Sequence, residues 1–146
     1  MKKYIIQNSP FIVPTSDGKL IEEHFGHATI PSELSIAHMI APPKWSEPYQ
    51  TPEFDEYTYI MKGKKQFIIE NETIVLEAGQ SIKIERNTRV QYSNPFDEAC
   101  EYLNIKKSWL YQNHKSENMP SYKMNRKLVF RTSDLDSWML SNFANN

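Results

Sequence analysis

Apolar and polar residues alternate along most of the first 106 residues of this chain, in short runs broken by turn-forming residues. Leu34, Ile36, His38 and Ile40 alternate with Ser35, Ala37, Met39 and Ala41, the pattern of a strand buried on both faces, and Pro42-Pro43 ends it. The alternation resumes from Glu56 to Lys62, and Lys62-Gly63-Lys64 reads as a turn. Gln66 to Glu70 returns, Asn71-Glu72 turns, and Thr73 to Leu76 goes out again. Glu77 to Gln80 makes the next turn, and Ser81 to Ile84 and Thr88 to Ser93 flank another at Arg86-Asn87. Tyr102, Asn104 and Lys106 alternate with Glu101, Leu103 and Ile105 in a last strand. Many short strands at this spacing predict an all-β sandwich or barrel.

The last 40 residues read differently. Residues 107–121 show no apolar period and read as a linker, and Lys127 to Arg131 reads as a strand. Ser133 to Phe143 reads as a helix. Ser133 stands at the N-cap, Asp134 and Asp136 occupy the first turn, and Leu135, Trp138, Met139, Leu140 and Phe143 form an apolar stripe. Such a stripe is expected to dock on the barrel or on a second copy. The expected division is a barrel with its N-terminal strand over residues 1–106 and a linker with a short helical extension over 107–146.

Composition narrows the class. A chain of 146 residues is one domain's worth, and 39% hydrophobic residues exclude disorder for most of it. No apolar run is long enough to span a membrane, and the N-terminal run is too short for a secretory signal. The lone cysteine, Cys100, excludes an internal disulfide and a cysteine metal cluster. A cytoplasmic protein is expected. The net charge of −1 is unevenly spread. Residues 1–105 hold 15 acidic and 10 basic residues, whereas 106–131 hold seven basic residues and one acid. The basic stretch reads first as a solvated tail, and second as a patch for nucleic acid or an acidic partner.

Six residues separate Glu56 from Gly63, and Gly79 and Asn94 recur downstream. This spacing, together with the strand pattern from about Lys19 to Ile105, resembles the two sequence motifs of the cupins. The metal-binding positions of those motifs are altered. The two histidines of the first motif fall on Gln50 and Pro52, or on Tyr49 and Thr51 in the longer spacing. In the second motif the Pro, Gly and His positions are Glu85, Asn87 and Val90. The run Ser35 to Met39, Ala41 to Pro48 and Gln50 to Thr58 resembles uncharacterised bacterial cupins. It is also similar to the cupin of ethanolamine-utilisation proteins, which likewise lacks metal histidines. The resemblance implies a double-stranded β-helix, a jelly-roll barrel that pairs as a homodimer and holds its ligand in the mouth between the two motifs. A second resemblance covers Pro120 to Lys123, Arg126 to Arg131 and Ser133 to Met139, which are similar to the last third of an excisionase-type winged DNA-binding domain. The helix-turn-helix that should precede them has no counterpart in the 14 residues 106–119, so nucleic acid is not the expected partner.

The candidate chemistry follows from the altered motif. Iron or another transition metal needs several converging N and O donors. Pro52 and Val90 have none, so no metal and no cofactor are expected. His24, His27 and His38 lie upstream, and each reads first as a hydrogen-bonded structural residue. His24 and His27, three apart on a strand, would point to opposite faces. Alternation sends Gln50, Pro52, Glu56 and Thr58 inward, with Val90, Tyr92 and Asn94 facing them. A buried Glu56 without a metal needs a partner, or its pKa climbs toward neutrality. The structural readings are a salt bridge to Arg89 or Lys83, or a hydrogen bond to Tyr92. The functional reading is a general acid or base. The resemblance adds Glu47 and Glu53 around the pocket, and His24 joins Gln50, Glu53, Glu56, Tyr92 and Asn94 as a candidate ligand contact. The aromatics Trp45, Tyr49, Phe54, Tyr57, Tyr59, Tyr92 and Phe96 cluster near the two motifs. Most are expected in the core or at a dimer interface, with one or two free to stack on a ligand. The leading expectation is a metal-independent cupin that binds or senses a small polar ligand, carbohydrate-like or carboxylate. The alternatives are a metal-independent isomerase, epimerase or lyase using Glu56 for proton transfer, and a transcriptional regulator with a basic tail.

Overall fold

The structure is a computed structural model and describes residues 3–107, 120–124, 127–129 and 131–143. Its first ten strands are β1 (Phe11–Ile12), β2 (Leu20–Phe25), β3 (Leu34–Ala41), β4 (Trp45–Ser46), β5 (Glu56–Lys62), β6 (Lys64–Ile69), β7 (Glu72–Glu77), β8 (Ser81–Ile84), β9 (Val90–Asn94) and β10 (Cys100–Lys107). They form two antiparallel sheets, one in the order β1-β2-β3-β10-β5-β8 and one in the order β4-β9-β6-β7. The chain crosses repeatedly between sheets, as a jelly roll requires. The expected all-β jelly-roll barrel is the fold found.

The period of two fixes which side chains face inward. Along β5, Glu56, Thr58 and Ile60 are buried while Tyr57, Tyr59 and Met61 are exposed. Along β10, Cys100, Tyr102 and Asn104 are buried. From the second sheet Phe67, Val90 and Tyr92 meet them, and Trp45 and Met39 complete the core. Phe67 and Tyr92 pack edge to face, with centroids 5.8 Å apart. In β3 only one face is fully buried. Ser35, Ala37, Met39 and Ala41 turn inward, whereas Leu34 is exposed and Ile36, His38 and Ile40 are half-buried, so the expectation of burial on both faces is corrected.

Two turns depend on glycine. Gly63 joins β5 to β6 with φ +80°, and a Cβ there would run into the Ala99 carbonyl. Gly79 has φ +91° and opens the turn into β8. A third turn is held by Asn94, which is fully buried. Its Nδ2 donates to the carbonyls of Ala41 (3.2 Å), Pro42 (3.0 Å) and Glu98 (2.8 Å), and its Oδ1 accepts from Phe96 N. Two N–H bonds serving three acceptors means that one is shared.

At the C-terminus, β11 (Tyr122–Met124) pairs with β12 (Lys127–Val129), and α1 runs over Thr132–Phe143. The helix begins one residue before Ser133, which therefore lies in the first turn and not at the cap. Leu135 and Trp138 are buried, but Met139 and Leu140 are more than half exposed, so the apolar stripe is only partly covered. Asp134 accepts a 2.8 Å hydrogen bond from the Tyr122 hydroxyl and so ties helix to hairpin. The linker reading for residues 108–119 and the side chain of Phe143 lie outside the described residues.

Candidate functional site

A cavity of about 200 Å³ lies between the two sheets. Ile21 from β2, Met39 from β3, Glu56 from β5 and Tyr102, Asn104 and Lys106 from β10 line one side. Lys65 from β6 and Tyr92 from β9 line the other, and Lys19, Glu47, Gln50 and Phe54 come from the connecting segments. The cavity thus gathers three lysines and two glutamates inside an otherwise apolar barrel.

Its polar groups fall into two sets. The first is closed upon itself. The Tyr92 hydroxyl donates to Glu56 Oε1 at 2.6 Å, a short charge-assisted bond between buried groups. Burial drives the Tyr92 pKa far up, and the adjacent Glu56 carboxylate pushes the same way, so the phenol keeps its proton. Lys19 Nζ meets Glu47 Oε1 at 2.8 Å, and Gln50 Nε2 donates to Glu47 Oε2 at 3.0 Å. The Gln50 backbone forms a two-way bridge with Val90, both bonds 2.9 Å. Lys19 also lies over the Trp45 ring, 4.7 Å from its centroid.

The second set is open. Lys65 is 2% exposed, and among the described residues its ammonium makes no hydrogen bond and no ion pair. It rests instead on aromatic faces, 3.6 Å from the Tyr102 centroid, 4.8 Å from Tyr92 and 5.2 Å from Phe67. Burial, and then the positive charge of Lys19, bring its pKa down to about 7. Tyr102 is fully buried, and its hydroxyl forms no hydrogen bond among the described residues; nor does Thr58 Oγ1. Burial also holds Tyr102 well above its usual pKa, so its hydroxyl is a donor without an acceptor. A buried phenol without an acceptor, beside an amine that meets only ring faces among the described residues, costs free energy unless water or a guest satisfies it. Cys100 nearby is buried, and its thiol is pushed up to about 11, so it stays protonated and inert.

Four of the residues singled out from sequence, Glu47, Gln50, Glu56 and Tyr92, line this one cavity. Of the structural partners weighed for Glu56, Tyr92 is the one found. Lys83 stands over the Tyr57 ring and Arg89 over Tyr49. Three other candidates lie elsewhere. Asn94 faces inward but does not line the cavity, because its amide is spent on the corner described above. Glu53 lines an adjoining outer groove of about 450 Å³ with Asp55 and Arg86, which shares Phe54 and Lys106 with the cavity. His24 is not among the cavity's residues; its carbonyl accepts from Gln7 Nε2 and Thr29 Oγ1. His27 follows it in a turn. His38 stands on the outer face of β3, with Nδ1 2.8 Å from Glu22 and Nε2 2.7 Å from Glu101. Burial alone would lower its pKa, but the two carboxylates outweigh that and raise it above 6.5. These are structural contacts of the kind expected for a lone strand histidine.

Sequence reading missed Lys19, Lys65, Tyr102, Asn104 and Lys106. A usable signal existed for most of them. Tyr102, Asn104 and Lys106 share a parity, and Lys65 is in phase with Phe67. Assigning Lys64 to a turn and starting the strand at Gln66 hid Lys65, because a lysine beside a turn reads as solvated.

A resident metal, which the cupin motifs would suggest, finds no suitable donor set here. Pro52 and Val90 supply no ligand atom, Gln50 is engaged with Glu47, and Glu56 with Tyr92. Among the described residues no group of three His, Cys, Asp or Glu is placed to hold an ion.

Comparison with known proteins agrees with this architecture. Residues 37–106 match the cupin domain family, and residues 96–142 match a helix-turn-helix domain family. The latter match overlaps β10 and reaches further back than the C-terminal resemblance read from sequence. Over 95 residues the chain is 40% identical to the endoribonuclease YbeY of Myxococcus xanthus (strain DK1622), which covers 64% of this chain and 32% of that protein. The chain therefore spans about a third of that relative's length. Among solved structures, the cupin domain of an XRE family transcriptional regulator from Enterobacter cloacae superposes with a TM-score of 0.53 at 15% identity, covering 61% of this chain and 95% of that one. The EutQ protein of Clostridium difficile gives 0.52 at 19%, covering 62% and 68%. At these identities the likeness establishes fold alone, and together with the two-sheet topology and the match over residues 37–106 it shows that the chain has the cupin fold, a double-stranded β-helix.

Proposed function

We propose that this chain is a metal-independent binding or sensing cupin whose barrel holds a small ligand bearing a carboxylate. The observation that carries the reading is the buried Lys65 ammonium, with no anion in ion-pairing reach among the described residues, beside a Tyr102 hydroxyl that likewise has no hydrogen-bond partner among them. A carboxylate seated there would accept from both, and Glu56 with Tyr92 would meet a hydroxyl or carbonyl at the ligand's other end. A volume of about 200 Å³ lies below the roughly 300–1,000 Å³ of drug-sized sites, so the guest is small. Propionate, with 1-propanol as the uncharged control, is the first probe for calorimetry. Propionate is expected to bind the native protein and to lose roughly ten- to hundredfold in affinity in Lys65→Met, as the loss of a hydrogen bond to a charged group implies. Equal affinity for the alcohol, or an unaffected variant, would contradict the reading. Glu56→Gln is expected to leave propionate affinity nearly intact.

Metal independence has its own check. Elemental analysis of dialysed protein is expected to show no stoichiometric iron, zinc, manganese or nickel, and a chelator is expected to leave the melting temperature unchanged. One retained metal per chain would overturn this part of the proposal. The ribonuclease activity named for the relative is not carried over, because the match takes in only a third of that protein.

Three observations favour a second reading, a ligand-responsive regulator. Residues 96–142 match a helix-turn-helix domain, and a structural neighbour is the cupin domain of a transcriptional regulator. The surplus of basic residues over 106–131 suits a polyanion. Fluorescence anisotropy of the full chain with duplex DNA, at low and physiological salt, tests it. A salt-dependent complex is expected under this reading, and no complex even at low salt would remove it.

A further inference from the structure

Lys65 has three properties that rarely coincide. It is buried in the wall of a cavity, it has no carboxylate within ion-pairing distance among the described residues, and a second ammonium, Lys19, lies close enough to lower its pKa. An amine desolvated in an apolar pocket next to another cation is the arrangement that makes lysine a nucleophile toward carbonyl compounds. The groups facing it are Lys19, Glu47, Glu56, Tyr92, Tyr102 and Cys100. Of these, Cys100 stays protonated and Glu47 is held by Lys19 and Gln50. Glu56, Tyr92 and Tyr102 remain to handle protons.

We propose that Lys65 forms a reversible imine with the carbonyl carbon of a small 2-oxo acid bound in the barrel. The inference rests on the carboxylate-binding reading above and names the ligand's second functional group: Lys65 meets the acid as the ammonium and attacks in its unprotonated form, with Lys19, the neighbouring ammonium of the same cavity, left facing the carboxylate. The Lys65 nitrogen attacks the carbonyl carbon, and the C=O electron pair moves to oxygen, which takes a proton from the Tyr102 hydroxyl. The nitrogen of the resulting carbinolamine passes a proton to the Glu56 carboxylate by relay through the Tyr92 hydroxyl, which donates to that carboxylate. Oxygen then leaves as water after a second protonation from Glu56, the C=N bond forms, and the remaining nitrogen proton returns to Tyr102. The sum is amine plus ketone giving imine plus water, with no oxidant or reductant. The rings of Tyr92, Tyr102 and Phe67 restrict water around the nitrogen, which favours the condensed form.

The neighbouring Lys64 supplies an internal control. It is about half exposed and stands 3.8 Å from Glu77. At pH 7 an amine with a pKa of about 7 has roughly a thousandfold larger unprotonated share than an ordinary lysine. The experiment incubates the full chain with pyruvate and sodium borohydride and maps the reduced adduct by peptide mass spectrometry. Adduct at Lys65 is expected to exceed that at Lys64 by roughly tenfold or more, to rise with pH through about 7 and then level off, and to vanish at this position in Lys65→Arg. Adduct spread evenly over exposed lysines, or unchanged in Lys65→Arg, would overturn the proposal. Propionate, which has no carbonyl, separates the two levels. If propionate binds and pyruvate is not trapped at Lys65, the imine is wrong and the carboxylate site stands; if neither engages the barrel, both fall. Tyr102→Phe, which keeps the ring over Lys65, is expected to slow trapping while leaving the variant folded, and its circular dichroism spectrum confirms the fold independently.

Discussion

Replacing Lys65 by Met is expected to make the protein more stable at pH 7, by about 1–3 kcal/mol, or a rise of about 3–10 °C in melting temperature. The reasoning is electrostatic. Moving this ammonium's pKa from 10.5 to about 7 corresponds to a penalty on the charged form of about 4–5 kcal/mol. Cation–π contacts with Tyr102, Tyr92 and Phe67 return part of it, about 0.5–2 kcal/mol. Methionine keeps the unbranched stem and removes the charge. The folded state releases the Lys65 proton more readily than the unfolded chain does. Between pH 7 and 10.5 the unfolded state therefore holds more protons, and the native protein gains stability as pH rises. The advantage of the variant should be fully present at pH 7 and below and should shrink toward pH 10.5. Thermal melts of both proteins at pH 6, 7 and 10 check the sign and the trend. A variant less stable than the native protein at pH 7 would mean that Lys65 is a structural cation satisfied by its rings. A residue that costs stability where methionine would fit points to a functional role.

Asn94→Ala should have the largest effect in the opposite direction. The change strips donors from the carbonyls of Ala41, Pro42 and Glu98 and an acceptor from Phe96 N, all around a side chain with no solvent exposure. Each unsatisfied buried group costs about 1–3 kcal/mol, and partial relaxation of the corner leaves an expected loss of about 3–5 kcal/mol. Urea titration should show a large fall in the midpoint with little change in slope. Propionate affinity of the folded fraction should be unchanged, because the amide does not line the cavity. A stable variant with lost binding would return Asn94 to the ligand site and contradict the structure.

Much of the barrel was legible because strand parity is a local property. Glu56 and Thr58 could be placed inside from the alternation of β5, and Tyr92 from that of β9, without knowledge of partners. The motif glycines were legible for the same kind of reason, since Gly63 fills a corner where a side chain would strike Ala99. The chemistry of the cavity was less so. A lysine in sequence carries a strong expectation of solvent, and only the folded β6–β9 pairing, which sets Phe67 opposite Tyr92, brings Lys65 on the same face to 4.8 Å from the Tyr92 ring. Asn94 shows the converse. Its parity is inward, as expected, but the crossing of the Pro42-Pro43 segment against the turn after β9 is a long-range contact, and that contact consumes the amide. Glu53 and His24 drew attention through proximity in sequence to motif positions, yet the chain carries them to other surfaces.

The central claim is that the space between the sheets is a carboxylate site organised by Lys65. A crystal structure of the protein grown with propionate tests it most directly. The account predicts density for the acid inside the barrel, with its carboxylate about 3 Å from Lys65 Nζ and within hydrogen-bond reach of the Tyr102 hydroxyl. A barrel empty of the acid, with Lys65 turned to bond Glu56 or Glu47 directly, would contradict it.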